Sequence, residues 1–161
     1  MKRIYATFTG IALATGLAVS APRDTPLDLA NRYFAATNET TRAANWRDWH
    51  PDAEHRITIK YGMGQPDDHI TYAVADWETL PDWRLDPAFA EAMKGYTETT
   101  ANAPKLSSET VGAATVITAK SRVNYTWGGR AGKMNRTDRF RVASHLGALV
   151  IHGLETTYDY R

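Results

Sequence analysis

The sequence predicts an α+β protein in which N-terminal helices pack over a curved antiparallel sheet. Two observations lead to this fold class. The first half of the mature chain carries helix-start signals and helical periodicity, whereas the second half alternates polar and apolar residues over long stretches. Helices first and a run of strands afterwards is the order of elements in α+β proteins. With 161 residues, the chain is long enough for one domain with one core.

The first twenty residues are predicted to be a secretory signal peptide. Lys2 and Arg3 give a positive start, residues 4–19 carry no charge, and Ala18 and Ser20 are the small residues that a signal peptidase requires. Cleavage is expected before Ala21, which leaves residues 21–161 as one mature domain. We therefore expect a periplasmic or secreted protein with no membrane segment after cleavage.

The composition excludes several classes of function. The chain has 19 basic and 18 acidic residues, and it is nearly neutral once the signal peptide is removed. This balance argues against nucleic acid or an anionic membrane as the partner. The absence of cysteine excludes disulfides, a thiol nucleophile and a zinc site built on thiolates.

Three helices are predicted before the long run of strands. Thr25 is the expected N-cap of the first, with Pro26 at its first position and Asp28 completing a capping box, and this helix should run to about Asn38. A second is expected over 41–49, stopping near His50 because a proline follows. A third is expected to start at 86–87 and to bury a stripe that includes residue 96.

The strands are predicted from alternation. Residues 55–61 place His55 and Ile57 on one face, and a short strand is expected at 70–74. From about residue 105 the chain predicts a meander of four strands, with turns at Gly112, Gly128–Gly129 and residues 144–147. In this meander one shared face carries Ile117, Ala119, Val123, Tyr125 and Trp127, and the equivalent face of the next strand carries Met134, Arg136, Asp138, Phe140 and Val142.

Four motifs in this order resemble the nuclear-transport-factor-2-like superfamily, in its ketosteroid isomerase and SnoaL-like branch. They are residues 32–38 (RYFAATN), Asp52–Ala53, residues 122–129 (RVNYTWGG) and residues 138–142 (DRFRV), and the resemblance spans roughly residues 27–158. It implies a cone-shaped pocket between the helices and the sheet, used in that family for small molecules.

The resemblance also implies roles for three residues. Tyr33 matches the tyrosine that holds the substrate oxyanion in the family's enzymes, and Asp138 matches their protonated aspartic acid. The position of the family's carboxylate base is occupied by Ile57, which cannot accept a proton. His55 lies on the same strand face one pleat away, and the ordinary pKa of histidine suits a base, so a His55-centred isomerase or dehydratase is one hypothesis.

Asp138 is also predicted to point inward from its own strand pattern, since its neighbours on that face are apolar. A carboxylate in such surroundings is either protonated or paired. Arg136 lies two residues away on the same face. We favour a structural or ligand-orienting pair of Asp138 and Arg136 over an isomerase-like role for Asp138.

The preferred hypothesis is an exported, non-catalytic binder of a hydrophobic or aromatic small molecule. The alternatives are the His55-centred enzyme, with Tyr33 and Asp138 as polarising groups, and a structural accessory subunit. No cofactor is expected, and His50, Asp52 and His55 are not expected to hold a metal because they have no common face. The opposite face of the sheet is expected to be either a solvated surface or the contact surface of a homodimer. The residues predicted to line the ligand site are Tyr33, His55, Ile57, Tyr125, Trp127, Arg136 and Asp138.

Overall fold

The computed structural model describes residues 24–36, 45–62, 64–75, 91 and 94–161. The predicted signal peptide, the first four residues of the second predicted helix and most of the third lie outside these ranges. Within them, no helix is long and apolar enough to cross a membrane.

The helix α1 spans Pro26–Ala35 and begins with the predicted capping box. The Thr25 hydroxyl accepts a hydrogen bond from the Asp28 N–H at 3.3 Å, and the Asp28 carboxylate accepts one from the Thr25 N–H at 2.8 Å. Two of the unsatisfied donors at the helix start are thereby satisfied. The helix ends earlier than the predicted Asn38, because Ala36 has an extended backbone.

A single sheet of seven strands forms the rest of the described fold. The strands are β1 (Trp49–Lys60), β2 (Asp68–Ala73), β3 (Thr97–Thr100), β4 (Lys105–Val111), β5 (Ala114–Trp127), β6 (Arg130–His145) and β7 (Ala148–Asp159). Their spatial order is β2-β1-β7-β6-β5-β3, and β4 also pairs with β5. Every pairing is antiparallel except that of β1 with β7, which is parallel.

The predicted fold class is confirmed, with one correction to the sheet. The α+β class and the helix packed over the sheet are as predicted, but the sheet is mixed rather than wholly antiparallel. The parallel neighbours β1 and β7 lie about a hundred residues apart in sequence. Turn residues predict the pairing of consecutive antiparallel strands only, so the sequence pattern could not predict this pair.

The start of β1 corrects the second predicted helix. Residues Trp46–Asp48 form a short 3-10 turn, and Trp49 already belongs to the strand, where it pairs with Ile151. The ladder resumes only at Glu54, after a register irregularity. Pro51 lies within this irregular stretch, where its missing N–H costs no ladder hydrogen bond.

The four-strand meander β4 to β7 and the short strand β2 are confirmed, but β3 was not predicted. Its four residues are all exposed and carry no apolar alternation, so its sequence pattern resembles a loop. Tyr96, predicted to lie on the third helix, instead immediately precedes β3.

The core lies between α1 and the inward face of the sheet. Leu29 and Ala30 on the helix are fully buried against Ile117, Phe140 and Leu154 of the sheet. Arg32 fixes the helix to the turn before β1, because its guanidinium donates to Asp48 at 2.7 and 3.0 Å while also pairing with Asp24. This double ion pair sets the position of the neighbouring Tyr33 above the sheet.

Candidate functional site

A row of polar side chains crosses four adjacent strands on the inward face. Tyr72 on β2 lies opposite His55 on β1, and Asp138 on β6 lies opposite Thr156 on β7. Three of the four are almost completely buried: His55 is 6% exposed, and Thr156 and Asp138 are each 1% exposed. Buried polar groups are tolerated when they satisfy one another, and this row does so.

Short hydrogen bonds connect the row from end to end. The Tyr72 hydroxyl lies 2.7 Å from His55 Nδ1, and His55 Nε2 lies 2.8 Å from the Thr156 hydroxyl. The Thr156 hydroxyl donates in turn to Asp138 Oδ1 at 2.7 Å. We call these four residues the inward polar row.

The direction of each hydrogen bond in the row follows from Asp138, which accepts at the end of the row. Thr156 donates its one hydroxyl proton to Asp138 Oδ1. The Thr156 oxygen therefore accepts from His55 Nε2–H, and in a neutral imidazole this leaves Nδ1 to accept from the Tyr72 hydroxyl. The tautomer of His55 is fixed by a residue two strands away.

The predicted pair of Arg136 and Asp138 is present. Arg136 Nε lies 2.9 and 3.1 Å from the two carboxylate oxygens, and a terminal nitrogen lies 2.9 Å from Oδ1. Burial acts to lower the pKa of Arg136, but the nearby Tyr158 and Asp138 outweigh it and raise that pKa. Whether the pair is structural or orients a ligand stays a prediction, but a carboxylate paired in this way cannot donate to an oxyanion.

His55 is a weak base in this setting. Its burial, and then the positive charge of Arg136, lower the pKa of His55 from 6.5 to about 4. The imidazole is neutral at neutral pH, but both ring nitrogens are already hydrogen bonded. A base in the family's manner needs a lone pair directed at the substrate, and the lone pair on Nδ1 is directed at Tyr72.

Tyr33 lies above the row on α1, as the sequence resemblance predicts. Its ring packs edge-on against Phe140 at 5.1 Å and Trp49 at 6.2 Å. Burial raises the pKa of Tyr33 to about 12, an effect partly offset by Arg136. The phenol is therefore protonated at every physiological pH and can act only as a neutral donor or acceptor.

The remaining predicted residues do not join the row. Ile57 is half-buried and pairs with Ile70, Tyr125 packs against the rings of Tyr96 and Tyr160, and Trp127 is 52% exposed. Trp127 ends β5 at the tip of a hairpin, where the next residues turn back. The structure thus brings together four of the seven predicted residues (Tyr33, His55, Arg136 and Asp138).

Sequence reasoning missed the residues that complete the row. Tyr72 was predicted only as part of a short strand, and Thr156 was not singled out. Alternation places Thr156 on the face of Leu154 and Tyr158. Its contact with His55 depends on the parallel pairing of β1 and β7, which no local pattern reveals.

His50 and His55, considered together as metal ligands in the sequence, separate in the structure. His50 instead packs against His145 and His152, with ring centroids 4.4 and 4.5 Å apart. The His50 and His152 rings are stacked, so their nitrogens do not converge on one point. Among the described residues, no group of three candidate ligands is placed to hold a metal ion.

Comparison with known proteins identifies the fold. No protein-family model matches the chain, and no curated protein matches it in sequence. Among solved structures, it resembles a hexachlorocyclohexane dehydrochlorinase of LinA type 3 from Novosphingobium barchaimii, at 13% identity over 83% of this chain and 84% of the other, with a TM-score of 0.51.

Two further solved structures resemble the chain less well. They are the β subunit of a benzoate 1,2-dioxygenase from Burkholderia mallei (9% identity, 84% and 91% of the two chains, TM-score 0.49) and an NTF2-like protein with a cystatin-like fold from Novosphingobium aromaticivorans (13%, 81% and 77%, 0.45). At such low identity the similarity establishes the fold alone. The chain has the nuclear-transport-factor-2-like fold that its motifs predict.

Proposed function

We propose that the protein binds a small, largely aromatic or apolar molecule against the inward face of its sheet and does not transform it. The observation that carries the proposal is the closed inward polar row. Both nitrogens of His55 and the carboxylate of Asp138 are engaged within the protein. The half-buried rings of Tyr33 and Phe34 supply apolar surface beside the row, and both rest on the buried ring of Phe140.

The polar groups that face a ligand are donors rather than bases. Tyr33 keeps its proton, since burial raises the pKa to about 12, and Arg136 is permanently charged. A site made of donors and aromatic rings orients an oxygen-bearing molecule. Among the described residues, the row contains no uncommitted carboxylate of the kind with which the fold's isomerases move a proton.

Native mass spectrometry of the protein purified without denaturation tests the proposal, with a bound small molecule as the expected result. For a molecule so captured, Tyr33→Phe should weaken binding about fivefold, corresponding to about 1 kcal/mol for one neutral hydrogen bond. Tyr61→Phe is the matched control, because the Tyr61 hydroxyl donates to Asp68 at an exposed position. Equal affinities of the two variants would remove Tyr33 from the site.

A second candidate is an acid–base enzyme, favoured by the contact of the Tyr72 hydroxyl with His55 Nδ1. In this hypothesis Tyr72 accepts a substrate proton while passing its own to His55. Exchange of a ligand C–H for deuterium, followed by proton NMR, measures such a transfer. His55→Gln should abolish the exchange while binding persists, whereas the binder predicts no exchange in the wild-type protein.

We also propose that the protein is exported, as the first twenty residues suggest. N-terminal sequencing of protein recovered from the extracellular or periplasmic fraction should begin at Ala21. Recovery of a chain beginning at Met1 only from the cell interior would contradict this.

Self-association through the outward face of the sheet is the last part of the proposal. This face presents charges of both signs, with Arg139 lying between Glu109 and Glu155 at 3.6 and 3.7 Å. Light scattering should give twice the monomer mass, and Arg139→Glu should shift the mass toward the monomer. A monomeric wild-type protein at micromolar concentration would contradict the dimer.

A further inference from the structure

Arg136 presents hydrogen-bond donors that Asp138 does not use. A guanidinium has five N–H groups, and the contacts to Asp138 come from Nε and from one terminal nitrogen. Among the described residues, no acceptor contacts the other terminal nitrogen. The edge of the guanidinium formed by its two terminal nitrogens therefore carries no two-point acceptor from the described part of the chain.

This edge lies in a sheltered and aromatic part of the inward face. The Arg136 side chain is 22% exposed, and its guanidinium carbon lies 5.5 Å from the centre of the Tyr158 ring. Arg136 also acts on the pKa values of Tyr33 and His55, which places its charge near both. Hydrogen bonds from a charged donor are stronger in such surroundings than in water.

The two terminal nitrogens direct two nearly parallel N–H groups along this edge. A carboxylate offers two oxygens with the matching spacing, whereas an amide or ketone offers one. The existing carboxylate of Asp138 is already saturated by Arg136 and Thr156, which limits its repulsion of a second anion. His55 is neutral, and Tyr33 adds a neutral donor.

We infer that the ligand is an aromatic carboxylic acid, held by a two-point contact between its carboxylate and Arg136 with its ring packed against Tyr33 and Tyr158. This inference rests on the proposed binding function and names the chemical class of its ligand. Arg136 thereby serves two carboxylates, one from its own strand and one from the ligand.

Matched pairs of probes test the inference. Aryl carboxylates of one, two and three fused rings, and the corresponding primary amides, are titrated into the full-length mature protein by calorimetry at pH 7. At least one carboxylate should bind about tenfold or more tightly than its amide, as expected for a charge-assisted pair. Arg136→Lys keeps the charge but loses the flat edge, and it should reduce that preference severalfold.

Two further variants separate recognition from folding. Arg139→Lys, on the outward face of the same strand, is the control and should leave the preference unchanged. Removing the charge of Arg136 alone leaves the buried Asp138 carboxylate without its partner and destabilises the fold. The double variant Arg136→Gln with Asp138→Asn avoids this, and it should bind carboxylate and amide alike.

The outcomes distinguish failure of the carboxylate inference from failure of the proposed small-molecule binding. If the amides bind as tightly as the acids, the carboxylate inference is overturned while small-molecule binding stands. If the acids bind tightly but Arg136→Lys retains the full preference, Arg136 is not the anchor. If no probe binds, the inference is overturned, while native mass spectrometry decides independently whether another ligand occupies the protein.

Discussion

Two histidines five residues apart on β1, His50 and His55, lie in opposite kinds of surroundings. His55 is a link in a chain of hydrogen bonds, with a defined partner on each ring nitrogen. His50 belongs to a group of three rings, with His145 and His152, that contact each other mainly through their faces and edges. We call the second group the outward histidine cluster, because His152 lines an outward groove with Arg139 and Glu155.

The two groups differ in whether the buried ring nitrogens have hydrogen-bond partners. In the outward histidine cluster, Nε2 of His152 is buried without a hydrogen-bond partner among the described residues. Burial, and then His50, His145 and Arg141, lower the pKa of His152. The surroundings of both His55 and His152 therefore disfavour protonation, but only His55 has a hydrogen-bond partner on each ring nitrogen. Substitutions should accordingly be costly in the row and mild in the cluster.

The largest expected effect concerns pH. The pKa of His55 is about 4 in the folded protein and 6.5 in the reference state, so the unfolded chain binds the proton first as pH falls. The contribution of neutral His55 to the free energy of unfolding has its full value above about pH 6.5. About 3 kcal/mol of it is lost by pH 4.

Urea denaturation across this pH range measures the loss. Because carboxylates titrate at the lower end, the informative quantity is the difference between the wild-type protein and His55→Gln, which should lose less stability on acidification. His69→Gln, at an exposed position, should behave as the wild type. Identical pH profiles for all three proteins would show that His55 is not buried as a neutral group.

A smaller effect is expected from Thr156→Val. Valine has nearly the same shape but leaves the buried Nε2–H of His55 without an acceptor, which should lower the free energy of unfolding by about 2 kcal/mol. Asp138 keeps its hydrogen bonds to Arg136. Thr157→Val, the adjacent half-buried threonine, should change stability by less than about 0.5 kcal/mol. Equal effects at the two threonines would mean that the row is not a connected network.

The smallest effect is expected from His152→Phe in the outward histidine cluster. The substitution keeps a flat ring for stacking and removes the unsatisfied nitrogen. The free energy of unfolding should be unchanged or rise by up to about 1 kcal/mol. A fall of more than 1 kcal/mol in thermal or urea denaturation would reveal a polar role for His152 and abolish the contrast with His55.

The parts of the site that the sequence predicts are those fixed by local rules. Arg136 and Asp138 are two residues apart on one strand, and period-two alternation places both side chains on the same face. The capping box at Thr25 and Asp28 likewise depends on residues three apart. The role predicted for Tyr33 came from its resemblance to a family motif, and the comparison with solved structures shows the same fold.

The partners of these residues could not be predicted in the same way. Thr156 reaches His55 because β1 pairs in parallel with β7, a contact between residues 101 positions apart. Which of several alternating strands become neighbours depends on how the whole sheet packs under α1. For the same reason, the three histidines of the outward cluster could not be recognised as neighbours.

The sequence by itself determined the α+β class, the start of α1, the meander β4 to β7 and the inward side of Asp138, because hydrophobic periodicity and short-range capping act within a few residues. Only the tertiary structure decided that the sheet is mixed, that both ring nitrogens of His55 are hydrogen bonded within a row and that one edge of Arg136 meets no acceptor among the described residues. These properties arise from contacts between distant strands, whose register is set by the burial of the whole core.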